Sequence, residues 1–313
     1  SNVLPIQADM VFKRARPFDD QATRLGQTNP TDALGSWDIA IAIYERAIAL
    51  EPLEDFYYLF LGRAYLERAG ITADRAEQTA LLTRAESILL QAQSINPLNT
   101  DHTANLARLN TRWLTATEDD AESEERLRLA EEYYQRALTL SPQNSIIRNE
   151  FATLVLEVKR DCDLALAVFD ESAEIDPFYA DTYLARADAY VTCSSGRSQL
   201  ERNAMLQTAA DSLNRALEIA PDNVLTWVRL ANVYRQLGSL EQAFAALEDA
   251  RLRNTPAVVP PGELDFLGAQ IAADLGNEAE ARRLAEQALG SAGQDLAGVI
   301  EAFLQDLRTE PGE

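Results

Sequence analysis

Apolar residues recur along the chain at offsets of four, three and five positions, and each set closes with a proline. The first set is Ala40, Tyr44, Ala47 and Pro52, in the stretch WDIAIAIYERAIALEP. Residues three and four apart share one face of an α-helix, and an alanine lets a neighbouring helix approach closely. One later copy has a serine in place of an alanine, and the last has its proline one position late. The further copies are Ala85, Leu89, Ala92 and Pro97; Ala130, Tyr134, Ala137 and Pro142; Ala165, Phe169, Ser172 and Pro177; Ala209, Leu213, Ala216 and Pro221; Ala243, Leu247, Ala250 and Pro256.

A second amphipathic stretch follows each proline, most clearly in VLTWVRLANVYRQLGSLEQAFAALEDA, residues 224–250. This segment resembles the tetratricopeptide repeat (TPR) family, and the resemblance extends over nearly the whole chain. It implies an all-α protein, a right-handed superhelical solenoid of about six to seven helix-turn-helix units, because two helices alone cannot bury their apolar faces. The residues that carry the resemblance are Trp227, Leu230, Ala231, Tyr234, Gly238, Ala243, Leu247 and Ala250.

We expect a single solenoid domain over residues 1–313, with less regular ends. A helix begins within residues 8–15, whereas the polar stretch 17–36, which contains prolines and glycines, is predicted to be a loop. The predicted subdivisions are an irregular N-terminal unit at 1–53, five central repeats at 54–256, a last hairpin at 257–290, and a capping helix with a tail at 291–313. The capping helix should seal the open end with one face made of Leu296, Val299, Ile300, Phe303, Leu304 and Leu307.

The stretch EDFYYLFLGRAYLERAG, residues 54–70, is predicted to be the first helix of a repeat. Tyr58 and Tyr65 take core positions of the TPR pattern. Gly62 should permit close helix approach, and Gly70 should end the helix in a backbone conformation that other residues resist.

The intervals between the closing prolines are 45, 45, 35, 44 and 35 residues, so two repeat lengths alternate irregularly. The longer class exceeds the 34 residues typical of the TPR family by about three helical turns, an insertion that can extend a helix without rotating its apolar face. We therefore predict elongated second helices in several units, with a capping box from Ser198 to Glu201. The alternative is that residues 115–123 and 192–198 form surface loops.

Fifty acidic side chains against 28 basic ones give a formal net charge of -22. Such a charge repels phosphate backbones and anionic lipid surfaces, so we expect neither nucleic acid binding nor direct membrane contact. No apolar run is long enough to span a membrane. Ser1 and Asn2 look like a cleavage remnant, which suggests an excised piece of a longer protein.

The sequence offers little for catalysis. Its single histidine, His102, excludes sites with paired histidines, and neither cysteine stands in a catalytic context. We expect His102 to lie at a helix start or on the surface. Acidic pairs lack the spacing of a calcium loop, and no glycine-rich phosphate loop occurs. We therefore predict no enzyme activity, no metal site and no cofactor.

Cys162 opens the second helix of one predicted unit, and Cys193 closes the first helix of the next. In a stack of antiparallel helices these two ends lie at the same edge. Two alternatives stay open: a disulfide, if the protein works outside the cytoplasm, or two buried thiols.

In the TPR family, the second, fifth, ninth and twelfth positions of each first helix line a concave groove. The residues at these positions are Phe56, Leu59, Arg63 and Leu66; Asp101, Ala104, Arg108 and Thr111; Ile146, Asn149, Thr153 and Leu156; Asp181, Leu184, Asp188 and Val191; Leu225, Val228, Asn232 and Arg235. The partner-binding residues that the resemblance implies are Phe56, Leu59, Arg63, Arg108, Asn149, Asp188, Asn232 and Arg235.

The arginines of this set could meet carboxylates of a ligand, and the asparagines could bind an extended peptide backbone. The alternative is that the arginines only pair with neighbouring acids. The chaperone-binding members of the family use lysines at fixed groove positions. Here position 101 is Asp and position 59 is Leu, so binding of a chaperone tail is not expected.

A weaker resemblance covers about sixty residues, from IQAD at 6–9 through YERAIALEPLEDFYYLFLGRAYLE. This region looks like the soluble C-terminal repeats of some bacterial O-antigen ligase or polymerase-like membrane proteins. Two functions are therefore expected as alternatives. The first is a non-catalytic scaffold that binds a protein or peptide in the groove, and the second is an extracytoplasmic accessory region that positions a glycan or partner. The location would be the outer face of a bacterial membrane in the second case and otherwise the cytoplasm.

Overall fold

The computed structural model describes residues 3–309, and over this range the chain forms sixteen α-helices and no strand. This confirms the all-α prediction, while the handedness of the stack stays a prediction. Ser1, Asn2 and residues 310–313 lie outside the described residues. The helices are α1 Val3–Phe12, α2 Arg16–Leu25, α3 Pro30–Leu50, α4 Asp55–Ile71, α5 Arg75–Ile95, α6 Thr100–Leu114, α7 Asp120–Leu140, α8 Ser145–Leu154, α9 Cys162–Ile175, α10 Ala180–Cys193, α11 Gln199–Ile219, α12 Val224–Gln236, α13 Leu240–Arg253, α14 Pro261–Asp274, α15 Glu278–Leu289 and α16 Gln294–Thr309.

The chain divides into two compact units, residues 1–151 and 152–313. Helices α1 to α7 belong to the first unit and α9 to α16 to the second, and the division falls within α8. In each unit the main contacts join helices that follow one another in sequence. The antiparallel pairs are α2 with α3, α4 with α5 and α6 with α7 in the first unit, and α10 with α11, α12 with α13 and α14 with α15 in the second.

The second helices are long where the proline intervals are long, as predicted. Helices α5, α7 and α11 have 21 residues each, whereas α9 and α13 have 14. The difference, 21 − 14 = 7 residues, is about two helical turns and not the expected three, and the apolar face keeps its direction because this is close to a whole number of turns. Residues 115–119 and 194–198 are short links. Ser198 and Glu201 form the predicted capping box at the start of α11.

Close approach of α4 and α5 depends on Gly62. A Cβ atom at this position would come within 2.5 Å of Leu89 Cδ2, well inside van der Waals contact. Tyr58 is buried, as expected for a core position. The prediction for Gly70 was wrong, because α4 continues through it to Ile71 and its backbone is helical.

The prediction of a loop at 17–36 was also wrong, because α2 and the first two turns of α3 occupy most of this stretch. Pro17 and Pro30 both lie in the first turn of a helix, where a backbone N–H has no helical partner to lose. The side chain of Asn29 accepts a hydrogen bond from Asp32 N at the start of α3. Prolines that looked like helix breakers are therefore helix starts.

Helix α16 packs on the last hairpin, as predicted for a capping helix. Ile300 and Leu304 are buried with Phe266 and Ala285, and Phe303 packs edge-on against Phe266 at 5.4 Å between ring centroids. Val299 departs from the prediction. It is 55% exposed, because neighbouring residues of a helix point about 100° apart and Val299 does not lie on the face that Ile300 and Leu304 share.

Candidate binding face

We use the name first-helix face for the residues at the second, fifth, ninth and twelfth positions of α4, α6, α10 and α12, and of α8 with the helical turn that continues it. At the start of α4, the ring of Phe56 is 43% exposed and packs against Phe60 at 4.7 Å between centroids. Leu59 was expected on this open face, but it is 7% exposed in the core with Leu82 and Leu106. Neighbouring helices cover it, so Leu59 contributes to stability and not to a ligand surface.

Arg63 belongs to a network in the first unit that sequence reasoning missed. Its Nη2 lies 3.1 Å from Asp19 Oδ1, and the hydroxyl of Tyr44 donates to Asp19 Oδ2 at 2.7 Å. Burial, followed by the hydrogen bond to Asp19, raises the pKa of Tyr44 well above its ordinary value. Asp19 lay in the predicted loop, so no pattern in the sequence placed a carboxylate beside Arg63.

The other predicted residues of the first unit are also engaged within the fold. Arg108 Nε donates to Glu150 Oε2 at 2.9 Å, and Arg108 Nη1 donates to Asn105 Oδ1 at 3.2 Å. Asn149 is buried, with 9% of its surface exposed. A peptide backbone would therefore reach little of Asn149 on this face.

In the second unit, each of the three predicted residues has an intramolecular partner. Asp188 Oδ2 accepts from Arg229 Nη1 at 2.9 Å, and Asn232 Nδ2 donates to the carbonyl of Val228 at 3.1 Å. Arg235 Nη1 lies 3.2 Å from Asp274 Oδ2.

Arg63, Arg108 and Arg235 thus each pair with an acid of their own unit. This geometry favours the alternative stated for the arginines, that they pair with neighbouring acids. A ligand carboxylate would have to displace an existing partner at each of them.

One cleft opens on the first-helix face of the second unit, with a volume of about 240 Å³. Thr153, Leu156 and Asp188 contribute to it from the face itself. Around Leu156 the helix widens into a π-helical turn, Val155–Lys159, which ends at Arg160 with a φ of 58°. The wider turn and the left-handed residue end the first helix early. The remaining lining residues are Glu157, Arg160, Phe169, Ala185, Ala189 and Thr192.

Asp188 gives this cleft a titratable group. Its pKa is raised because neighbouring atoms reduce its hydration, and the guanidinium of Arg229 opposes that shift. Polar and apolar atoms both line the cleft, which suits a peptide better than a purely apolar ligand.

Cys162 and Cys193 are joined by a disulfide, with their Cα atoms 5.8 Å apart. Cys162 is the first residue of α9 and Cys193 the last of α10, the helix ends that the sequence placed at one edge.

His102 lies in the first turn of α6, but it is fully buried, so the surface alternative was wrong. Its Nε2 lies 2.6 Å from Asp55 Oδ2, which also accepts from the side chains of Asn96 and Asn99. Burial alone would raise the pKa of Asp55, but the hydrogen bonds from His102, Asn99 and Asn96 outweigh it and lower the pKa. The cluster links the starts of α4 and α6.

Within residues 3–309, no three His, Cys, Asp or Glu side chains come together as a metal site would require. Over the same range, no helix combines the length and the apolar character needed to cross a bilayer.

Comparison with known proteins agrees with this arrangement of helices. The sequence model described as tetratricopeptide repeat matches residues 121–144 and 225–250. A tetratricopeptide repeat protein from Parabacteroides merdae superposes with a TM-score of 0.52 over 96% of this chain and 99% of that chain, at 15% identity. The chain has the TPR fold. None of the curated proteins matches its sequence.

Other solved TPR-like structures are similar over much of the chain. PilF of Pseudomonas aeruginosa gives a TM-score of 0.53 at 18% identity, covering 82% of this chain and 97% of that chain. The human IFIT1 dimer with m7Gppp-AAAA gives 0.57 at 17% identity, covering 89% of this chain and 62% of that chain. At these identities the similarity shows the fold alone. Neither the sequence model nor these structures supports the resemblance to O-antigen ligases or a glycan partner.

Proposed function

We propose that the chain is a non-catalytic scaffold that binds an extended peptide segment of a partner protein on the first-helix face of its second unit. The observation that carries the proposal is the cleft of about 240 Å³ in the second unit, where Thr153, Leu156 and Asp188 come together. Stacked TPR units present such faces to peptides, with side-chain pockets that give specificity.

On this face, contact with exposed apolar side chains would contribute most of the binding free energy. Its second positions hold Phe56 and Ile146 in the first unit and Leu225 in the second, which are 43%, 48% and 51% exposed. The other two second positions hold Asp101 and Asp181. Because the three arginines already have acidic partners, we assign affinity to these apolar side chains. Burying one of them against a peptide contributes about 1 kcal/mol or more, since about half of each side chain is already covered.

Asp188 and Arg229 would form the polar contacts with the peptide. This pair is half-exposed, with 56% of the Asp188 side chain and 45% of the Arg229 side chain accessible. An exposed pair of this kind is weak, at roughly 0.2–1 kcal/mol, so a peptide group can exchange with either partner at little cost.

The test is selection of peptides from a random display library against the whole chain, followed by affinity measurements with single variants. Leu225→Ala should weaken the selected peptides by roughly three- to tenfold, and Asp188→Asn by up to about fivefold. Leu164→Ala on α9 is the matched control, since Leu164 is 38% exposed but belongs to a second helix.

Circular dichroism of each variant checks that the fold is intact. The proposal is wrong if peptides are selected but neither Leu225→Ala nor Asp188→Asn changes their affinity more than the control Leu164→Ala does.

A further inference from the structure

A second cleft, in the first unit, lies where the start of α4 meets α1 and the link between α5 and α6. Its volume is about 620 Å³, enough for a long side chain with part of its backbone. It shares only Phe56 with the first-helix face. The lining residues are Pro5, Asp9, Glu51, Leu53, Glu54, Asp55, Phe56, Tyr57, Asn96 and Asn99.

Tyr57 contributes a hydroxyl group to this cleft. The residue is 6% exposed, yet its hydroxyl makes no hydrogen bond with any residue in 3–309. Burial raises its pKa, and the charges of Asp9, Glu54 and Glu51, which line the same cleft, raise it further. The hydroxyl oxygen itself is not closed off from the cleft, so a donor group of a ligand can reach it.

The carboxylates of the cleft carry more negative charge than the fold neutralises. Asp55 Oδ2 is occupied by His102, Asn96 and Asn99. Asp9 pairs with Lys13 at 2.7 Å, but that pair is exposed and leaves room for exchange. Among the described residues no cation pairs with Glu51 or Glu54, and Glu54 accepts only a long hydrogen bond from Phe56 N.

The walls add apolar surface beside these charges. The ring of Phe56 is 43% exposed, and Leu53 is 77% exposed at the rim. A planar guanidinium suits this combination, because it stacks on an aromatic face and directs five N–H donors to several oxygens at once. An ammonium would use fewer of these acceptors.

From this geometry we propose that the cleft binds an arginine side chain of a partner protein. The guanidinium lies against Phe56, donates to Glu51, Glu54 and the hydroxyl of Tyr57, and is flanked by apolar residues that contact Leu53. The site is independent of the peptide-binding proposal above, since none of these contacts requires the cleft of the second unit.

The test is a titration of the ¹⁵N-labelled whole chain with the peptide Ac-Ala-Leu-Arg-Leu-Ala-NH2, followed by NMR. A second peptide with citrulline in place of arginine keeps the planar shape, but it removes the charge and replaces one NH2 group with a carbonyl oxygen, so fewer N–H donors remain. We expect shifts at residues 51–57 with the arginine peptide and an affinity at least about tenfold lower with citrulline. Added salt should weaken the arginine peptide.

Two substitutions probe the contacts. Tyr57→Phe removes only an unpaired hydroxyl, so it should weaken binding by about threefold without lowering the thermal midpoint. Glu51→Gln should weaken binding by roughly three- to tenfold. Glu67→Gln is the matched control, because Glu67 is an exposed carboxylate on α4 outside the cleft and its loss changes the net charge equally.

Equal binding of the citrulline peptide, or no binding of the arginine peptide at millimolar concentration, would overturn the proposal. So would equal effects of Glu67→Gln and Glu51→Gln, since attraction to the whole acidic chain would then explain the binding. Leu225→Ala should leave this titration unchanged, so that the two proposals can fail separately.

Discussion

The contact between Gly62 and Leu89 sets how closely α4 and α5 can pack. We predict that Gly62→Ala lowers the free energy of unfolding by about 1–2 kcal/mol. The new methyl group would lie within 2.6 Å of both Cγ and Cδ2 of Leu89, and overpacking outweighs the gain in helix propensity. Urea unfolding followed by circular dichroism measures the change.

Gly35→Ala is the matched control for this prediction. Gly35 lies inside α3, and a Cβ atom there would have nothing within 4 Å. The same substitution should therefore stabilise the chain by about 0.5–1 kcal/mol. If both variants change the free energy of unfolding in the same direction, the contact with Leu89 does not determine the effect of Gly62→Ala.

At the level of elements, the disulfide ties the start of α9 to the end of α10. Cys162 and Cys193 are 31 positions apart, so the bridge closes a loop that would otherwise be free in the unfolded chain. We predict that Cys162→Ser with Cys193→Ser lowers the free energy of unfolding by about 3 kcal/mol. Urea unfolding under non-reducing conditions measures the difference.

Reductant is the control for the disulfide. Wild-type protein under reducing conditions should unfold like the double variant, while the variant itself should not respond. Mass measurement after alkylation, with and without reductant, reports the thiols directly. Two free thiols in oxidised material would contradict the prediction.

Sequence periodicity predicts the regular helices well, because each buries one stripe against a neighbour. The stripe of Ala85, Leu89 and Ala92 is buried in α5 as expected, and Leu82 one turn earlier is buried with it. Residues 17–36 were mispredicted because proline and glycine act by position. Pro17 and Pro30 start helices, and Gly35 is tolerated inside one.

Side-chain partners were harder to predict than helices. The pairing of Arg63 with Asp19 and of His102 with Asp55 joins residues 44 and 47 positions apart. The helical period tells which face a residue occupies but not which carboxylate lies opposite it. Tyr57 was hidden for the same reason, since the sequence shows an aromatic residue and not an unpaired hydroxyl.

At the scale of the whole molecule, the main contacts join helices that are close together in the sequence. Each helix packs mainly on the next helix or the next but one. Stability in such repeat architectures is approximately a sum of local terms, so a core defect should open its own neighbourhood first.

We predict that Leu82→Ala raises hydrogen exchange in α4 to α6 and leaves α12 to α14 unchanged, and that Leu247→Ala does the reverse. Both leucines are fully buried, in α5 and α13, so each substitution removes a similar amount of apolar contact, at a cost of about 2–5 kcal/mol. Exchange followed by mass spectrometry on peptic fragments locates the response. Equal loss of protection along the whole chain in both variants would contradict local stability, because a defect would then be felt by every helix regardless of its neighbours.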